Sequence, residues 1–360
     1  MKPQLKTRQI CLFFIAFMPI TKLYALPSVL AEITSEDLWL SVIINLLIDL
    51  VTIVALIWVS KKTNLTIIEM LNKSFGKVAT KIILFIYALI FLLKMFIPLQ
   101  EQKDFVKLSL YINMPTDLFF LPFFLISFYL ATKPMRAIGR SADILWVFTL
   151  VGYLLLIVLS VSNVDWSALL PIGARGINNI TKGSLSSFTW WGDCLYFIFF
   201  IGNYKTGKKD FVKITLSYLV GGIMVILAMI FFWGTFTSIA FRQRCAMTEL
   251  SKYTTVIYNT GRFDYVGILF IIFSSIFALS LPIYFATQLL QEVFNLKNRW
   301  YIALPINVIM AVLMITLSQH MATLGAFIMN KLSIVFLLAS NLLPLLTIFL
   351  VYKRRKNENF

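Results

Sequence analysis

Lys22, Asp49, Lys94 and Asp193 are ionisable residues set inside long apolar stretches of a 360-residue chain. An ionisable group in hydrocarbon costs about 2.5–3.5 kcal/mol on insertion scales unless it is paired or solvated. Two of the four are cations and two are carboxylates, so they can compensate one another. The chemistry open to them is charge recognition or proton exchange. Two sit where a helix is expected to break. The first break reads Phe17-Met18-Pro19-Ile20-Thr21-Lys22-Leu23, where proline removes a backbone donor and clashes with the preceding turn. The second reads Phe188-Thr189-Trp190-Trp191-Gly192-Asp193-Cys194, where glycine beside aspartate is an unwinding point. A broken helix frees backbone amides and carbonyls at mid-depth, where a ligand can use them.

The candidate ligand-binding set is therefore Pro19, Thr21, Lys22, Lys94, Trp190, Trp191, Gly192 and Asp193. Plainer readings stand beside it. Lys22 could pair permanently with Asp193 or with Asp49 and only hold helices together, and Gly192 could serve only close helix contact. Lys94 lies about six residues from the outer end of its span, within reach of the interface by snorkelling. Trp190 and Trp191 could be interfacial anchors. Asp143, just after Arg140, stands at a helix start that favours an acid. His320 falls near the outer interface. Cys11, Cys194 and Cys245 are scattered and His320 is the single histidine, so no disulfide framework and no metal site is expected. No nucleotide-binding, hydrolase or zinc-protease motif occurs. The chain is expected to need no cofactor and not to be an enzyme.

These residues must be positioned by membrane helices. The chain is 59% hydrophobic and 13% charged, against about 25% charged in a soluble domain. Its apolar excess needs lipid outside. Windows of spanning length fall near 9–31, 38–60, 79–100, 117–132, 143–162, 186–204, 213–236, 265–291, 300–319 and 332–352. The fourth is short and carries Pro122. The expectation is an all-α membrane protein of about ten transmembrane helices, a single integral domain over 1–360 with no soluble domain. Breaks in spans one and six place the interruptions at matching positions of two halves, about 9–162 and 186–352. Five spans per half invert the second, which predicts a 5+5 inverted-repeat transporter fold with helices 1 and 6 discontinuous.

The net charge of +16 lies in short loops rather than on one face, so it reads as a topology signal and not as a nucleic-acid surface. With the N-terminus inside, 21 Lys and Arg fall on the cytoplasmic side and 9 outside, which predicts N-in and C-in. Pro19 and Lys22 interrupt the first apolar stretch, and Leu23 suits a cut after Ala25 poorly, so an uncleaved span is expected rather than a signal peptide. Thr66 and Glu69 have capping-box spacing ahead of Ile67, Ile68, Met70, Leu71 and Phe75, which predicts a short interfacial helix on membrane lipid. A second short helix is expected near 248–259.

Several ordered marks resemble a known family. They are Lys22-Leu23-Tyr24-Ala25-Leu26-Pro27-Ser28, then Glu36-Asp37-Leu38-Trp39-Leu40-Ser41, then Met114-Pro115. Ala137-Ile138-Gly139-Arg140-Ser141-Ala142-Asp143 follows, and then Asp165-Trp166-Ser167-Ala168-Leu169-Leu170-Pro171-Ile172, Lys182-Gly183 and Gly192-Asp193. In order and spacing the chain resembles the spore-germination permeases, the B subunits of endospore germinant receptors, within the amino acid/polyamine/organocation transporter superfamily. The resemblance implies a small-molecule germinant, often an amino acid, bound between spans 1, 3, 6 and 8. It implies a complex with A and C subunits in the inner membrane of the spore. Two departures are visible: Pro19-Ile20-Thr21-Lys22 stands where many superfamily members have a Gly-rich break, and Asp193 stands where the family more often has Glu. A proton-coupled amino-acid transporter, with Lys22 and Asp193 as coupling groups, would need the same site.

Overall fold

The computed structural model describes residues 5–62, 65–110, 116–204, 206–243, 245–246, 249–250, 264–317 and 320–357. Helix dominates, and among the described residues the only β-type pairing is an isolated bridge between Leu5 and Tyr204. Among the described residues, six helical stretches are long and apolar enough to cross a membrane by length and composition, and Phe120–Ala131 and Trp300–Thr316 are shorter apolar helices. The protein is a multi-pass membrane protein.

The first apolar stretch is two half-helices. α1 (Thr7–Phe17) stops before Pro19, and a 3-10 turn over Ile20–Lys22 follows. α2 (Leu26–Thr34) restarts with a proline in its first turn, where a missing N–H costs nothing. α3 (Leu38–Lys62) is continuous. α4 (Ile67–Leu110) is the longest helix and contains one backbone break, at Gly76, whose φ of 77° is the left-handed conformation glycine tolerates. The segment before that break is the short helix expected there. Its cap is the expected box: the Thr66 N–H donates to Glu69 at 2.8 Å, and the Glu69 N–H donates to the Thr66 hydroxyl at 3.3 Å.

α5 (Thr116–Ala131) runs through Pro122, and α6 (Met135–Ser160) starts after Pro134. In the connection that follows, Asp165 accepts from the Ser167 hydroxyl at 2.6 Å and the Ser167 N–H at 2.9 Å. Those bonds, the hydroxyl first, hold its carboxyl below the usual carboxylate range.

The second broken stretch is α7 (Ile177–Ser186), a 3-10 turn over Ser187–Thr189, an irregular segment through Asp193, and α8 (Cys194–Phe200). α9 (Asp210–Phe236) and α10 (Asp264–Phe294) are long and apolar. α11 (Trp300–Thr316) is followed by α12 (Met321–Phe327), α13 (Ser333–Leu337) and α14 (Leu343–Asn357). π-helical turns at Ile328–Leu332 and Leu338–Leu342 join the last three.

The two breaks themselves lie in the interior. α1 packs against α6 and α9, and α10 packs against α4, α5 and α6. Aromatic rings fill the space between: Phe13 meets Phe200 at 5.1 Å, Phe17 meets Phe277 at 5.0 Å, and Phe91 meets Tyr196 at 5.3 Å and Phe285 at 5.4 Å. The outward faces are apolar too. Val78, Ile82, Phe85, Leu89 and Leu93 of α4 are exposed, as are Val147, Val151, Leu154 and Val158 of α6. Exposed apolar stripes of that extent suit lipid rather than water.

Two expectations change on contact with the fold. α4 runs to Leu110, ten residues past the expected window, so the segment read as an outer loop is helical. α6 starts at Met135, so Asp143 lies two turns in. It accepts from the Arg8 guanidinium at 2.9 Å and the Gln9 amide at 2.8 Å, tying α1 to α6. Met114-Pro115 and most of the expected helix at 248–259 lie outside the described residues.

Candidate functional site: two helix breaks joined by buried charge

Lys22 leaves the 3-10 turn after Pro19 with its ammonium turned into the protein. Its side chain is fully buried, and Nζ donates to the Met18 carbonyl at 2.8 Å and to Asp193 Oδ2. The first acceptor is a carbonyl beside the proline break. The second comes from the other broken helix, so the two interruptions are bound to each other through charge. Asp193 is held from a second side as well. Lys94 Nζ lies 3.4 Å from Asp193 Oδ1 and donates to the Trp191 carbonyl at 2.5 Å. The Lys22 ammonium lies 5.0 Å from the centre of the Trp191 ring, and Lys94 Nζ lies 5.8 Å from that of Tyr196. Both distances are within cation–π range.

The second break is shaped by Gly192. Its φ of 84° turns its amide toward α3, where Asp49 Oδ2 accepts from it at 2.8 Å. The Tyr218 hydroxyl donates to the same oxygen at 2.7 Å. A Cβ at position 192 would overlap the Ser340 side chain, so the close approach requires glycine on steric as well as conformational grounds. Ser340 and Asn341 belong to the π turn Leu338–Leu342, a local geometry frequent at functional sites. The Cys194 thiol lies 3.4 Å from both the Ser340 carbonyl and Asn341 Oδ1.

The structure thus brings Pro19, Lys22, Lys94, Trp191, Gly192 and Asp193 together. Thr21 lines a cavity beside Asp193, with Phe13, Phe17 and Tyr196 also in its wall. Its volume is about 10 Å³, about the room one water needs. Trp190 faces the other way, and its indole N–H donates to Glu101 Oε1 at 2.8 Å. Both tryptophans are buried, so neither is an interfacial anchor.

Two of the plainer readings are corrected. Lys22 hydrogen-bonds Asp193 rather than Asp49, because Asp49 is taken by the Gly192 amide and Tyr218. Lys94 does not snorkel outward, since the broken stretch around Trp191 packs against its face of α4 and offers it a carbonyl and a carboxylate.

Glu101 and Asn45 were missed. Glu101 is buried two turns above Lys94, on the same face of α4. It escaped notice because it stands one residue past the expected window. Asn45 donates to the Ser184 carbonyl at 3.1 Å and the Ser187 hydroxyl at 2.6 Å, at the end of α7. Its only sequence signal is an amide in the apolar face of α3. No group of three His, Cys, Asp or Glu able to hold a metal occurs among the described residues.

A cluster of buried charge at two facing helix breaks, in an all-helical membrane protein, defines a transporter-type scaffold. Solved structures carry the same architecture. A mutant of the manganese transporter of Eremococcus coleocola matches with a TM-score of 0.57 at 12% identity, covering 97% of this chain and 76% of that one. A second mutant of that transporter matches with a TM-score of 0.54, again at 12% identity and the same coverage. Identity that low speaks for the fold alone. No curated protein matches the sequence. Residues 4–322 match the family described as "Spore germination protein", a family of spore permeases, and the chain belongs to it.

Proposed function

We propose that this chain is the germinant-sensing membrane subunit of a spore germinant receptor, and that it binds an amino acid at the Lys22–Asp193–Lys94 cluster. The observation that carries this reading is the buried charge triad joining the two helix breaks. A zwitterion carries the same two charges as the Lys22–Asp193 pair. Its carboxylate would take Lys22 and backbone amides at the first break, and its ammonium would take Asp193. Binding would replace the internal pair rather than add to it. The cavity of about 10 Å³ is too small for an amino acid, so binding requires the breaks to separate. Differential affinity for the separated arrangement would shift a two-state packing of the helices.

In this reading the chain is one membrane domain of ten spans, with inverted halves at about 9–162 and 186–352. N- and C-termini lie in the cytoplasm, and the protein resides in the inner membrane of the spore. The signal passes to A and C subunits, and the chain carries no catalysis of its own.

The transporter fold favours a second reading, proton-coupled amino-acid transport through the same site. The manganese named for the solved neighbours fits this cluster poorly. Asp193 is flanked by two ammonium groups, which oppose a divalent cation at its carboxylate.

The test is thermal stabilisation of the purified protein against a panel of amino acids, nucleosides and sugars. A ligand should raise the midpoint of the wild type and not that of Lys22→Met or Asp193→Asn. Normal ligand responses in both variants would remove the site. Uptake of the stabilising ligand into proteoliposomes by this chain alone would favour transport over sensing.

A further inference from the structure

A second cavity opens beside the Gly76 break. It has a volume of about 330 Å³ and is lined by residues of the first turns of α4 and the last turn of α10. Lys77 and Lys81 project from α4, with Asn72 on the short helix before the break, and Glu292 and Asn295 come from the end of α10 and the residue after it. Lys81 Nζ lies 2.9 Å from the Asn295 side-chain oxygen, in the amide orientation that also lets Asn295 donate to the Glu292 carbonyl at 3.2 Å. Two lysines against one exposed glutamate leave the wall with a formal charge of one positive.

The depth of this cavity is marked by its neighbours. Val78 lines it and is 76% exposed, and it begins the apolar outward stripe of α4. On the preceding side lies the short helix before Gly76, whose own Lys73 is exposed. The cavity therefore stands where the lipid-facing surface ends and the charged surface begins. In a bilayer that level is occupied by headgroups. A water-facing anion site would not share its wall with a lipid-facing valine.

We propose that this cavity binds the phosphate of an anionic phospholipid headgroup, held by the Lys77 and Lys81 ammonium groups with Asn72 and Asn295 as polar partners. The acyl chains would lie along Val78, Ile82 and Phe85. Anionic lipid is favoured over zwitterionic lipid because the wall carries net positive charge, and a juxtamembrane lysine contributes about 1 kcal/mol of attraction to an anionic surface.

Native mass spectrometry of the full chain from mixed micelles tests this, with phosphatidylglycerol and phosphatidylcholine offered in equal amounts. The wild type is expected to retain phosphatidylglycerol preferentially. Lys77→Ala/Lys81→Ala should lower that preference on the order of 25-fold, from two lysines at about 1 kcal/mol each and 1.4 kcal/mol per tenfold. Should the double variant fail to fold, Lys77→Ala alone, at an exposed position, should lower it about fivefold. Glu292→Gln should leave it equal or raise it. Equal retention of the two lipids by the wild type would overturn the proposal, as would unchanged preference in folded lysine variants. A parallel titration with inorganic phosphate separates the sources. Tight phosphate binding without lipid preference would assign the cavity to a soluble anion and sink the lipid assignment.

Discussion

Asp193→Asn should destabilise the unliganded protein more than Lys22→Met, although the two residues form one pair. The reason is the third member. When Lys22 becomes methionine, Asp193 keeps Lys94 at 3.4 Å. At an effective dielectric of about 20, an ion pair at that distance retains about 5 kcal/mol of gross Coulomb attraction. When Asp193 becomes asparagine, two buried ammonium groups lose their shared carboxylate and keep only the Met18 and Trp191 carbonyls. Removing one partner of a buried pair costs about 3–5 kcal/mol, chiefly because the other is left uncompensated. Asp193→Asn should fall at or above the top of that range. Lys22→Met should fall below it, at about 2–3 kcal/mol, leaving a gap of about 2 kcal/mol or more. The double variant should be less destabilised than Asp193→Asn, since one of the two stranded cations is gone. The assay is denaturant unfolding of the four proteins in one detergent, read by tryptophan fluorescence and treated as a double-mutant cycle. A Lys22→Met cost equal to or above that of Asp193→Asn would refute the reasoning, because Lys94 would then give no compensation.

Gly192→Ala and Gly76→Ala should differ sharply despite similar φ. Both meet the strain of a positive φ, about 1–3 kcal/mol, but a Cβ at 76 has nothing within 4 Å while one at 192 overlaps Ser340. Unfolding midpoints should therefore drop modestly for Gly76→Ala and severely for Gly192→Ala, and equal drops would show that crowding at Ser340 is relieved by the π turn. For topology, single cysteines introduced within 61–78 and after Lys353 should resist an impermeant thiol reagent in intact cells, and those within 165–183 should react. Outside labelling of both the 61–78 segment and the tail would reverse the orientation.

Both helix breaks were visible in the sequence, because proline and glycine act on the local backbone whatever surrounds them. Lys22 and Asp193 were visible as well, since a charge in an apolar window stands out without any knowledge of packing. What stayed hidden was the choice of partner. Asp49 could have paired with Lys22, and only the tertiary arrangement shows that the Gly192 amide and Tyr218 reach it first. Lys94 was left between two readings for the same reason. Its distance from the end of a span suggested escape to water, but a residue's neighbours across the interior, here Trp191 and Asp193, are not written in its own helix. Glu101 was lost to a boundary, because hydropathy ends a window where polar residues begin, while α4 continues as helix to Leu110. The capping box at Thr66 was read without such help, for both its partners lie within four residues.

α4 has one more property. From Lys77 to Lys94 it contains neither proline nor glycine, and it has helical geometry throughout. Its rise over those residues is about 26 Å. It grips the broken stretch at Trp191 through one lysine and stands at the headgroup level with another. A stiff segment of that length is a lever. A tilt of about 5° about the level of Lys94 carries the Lys77 end sideways by about 2 Å, about the scale of the helix shifts that distinguish alternative packed states. Small rearrangements at the charge triad are thereby enlarged, by leverage alone, at the edge of the bilayer.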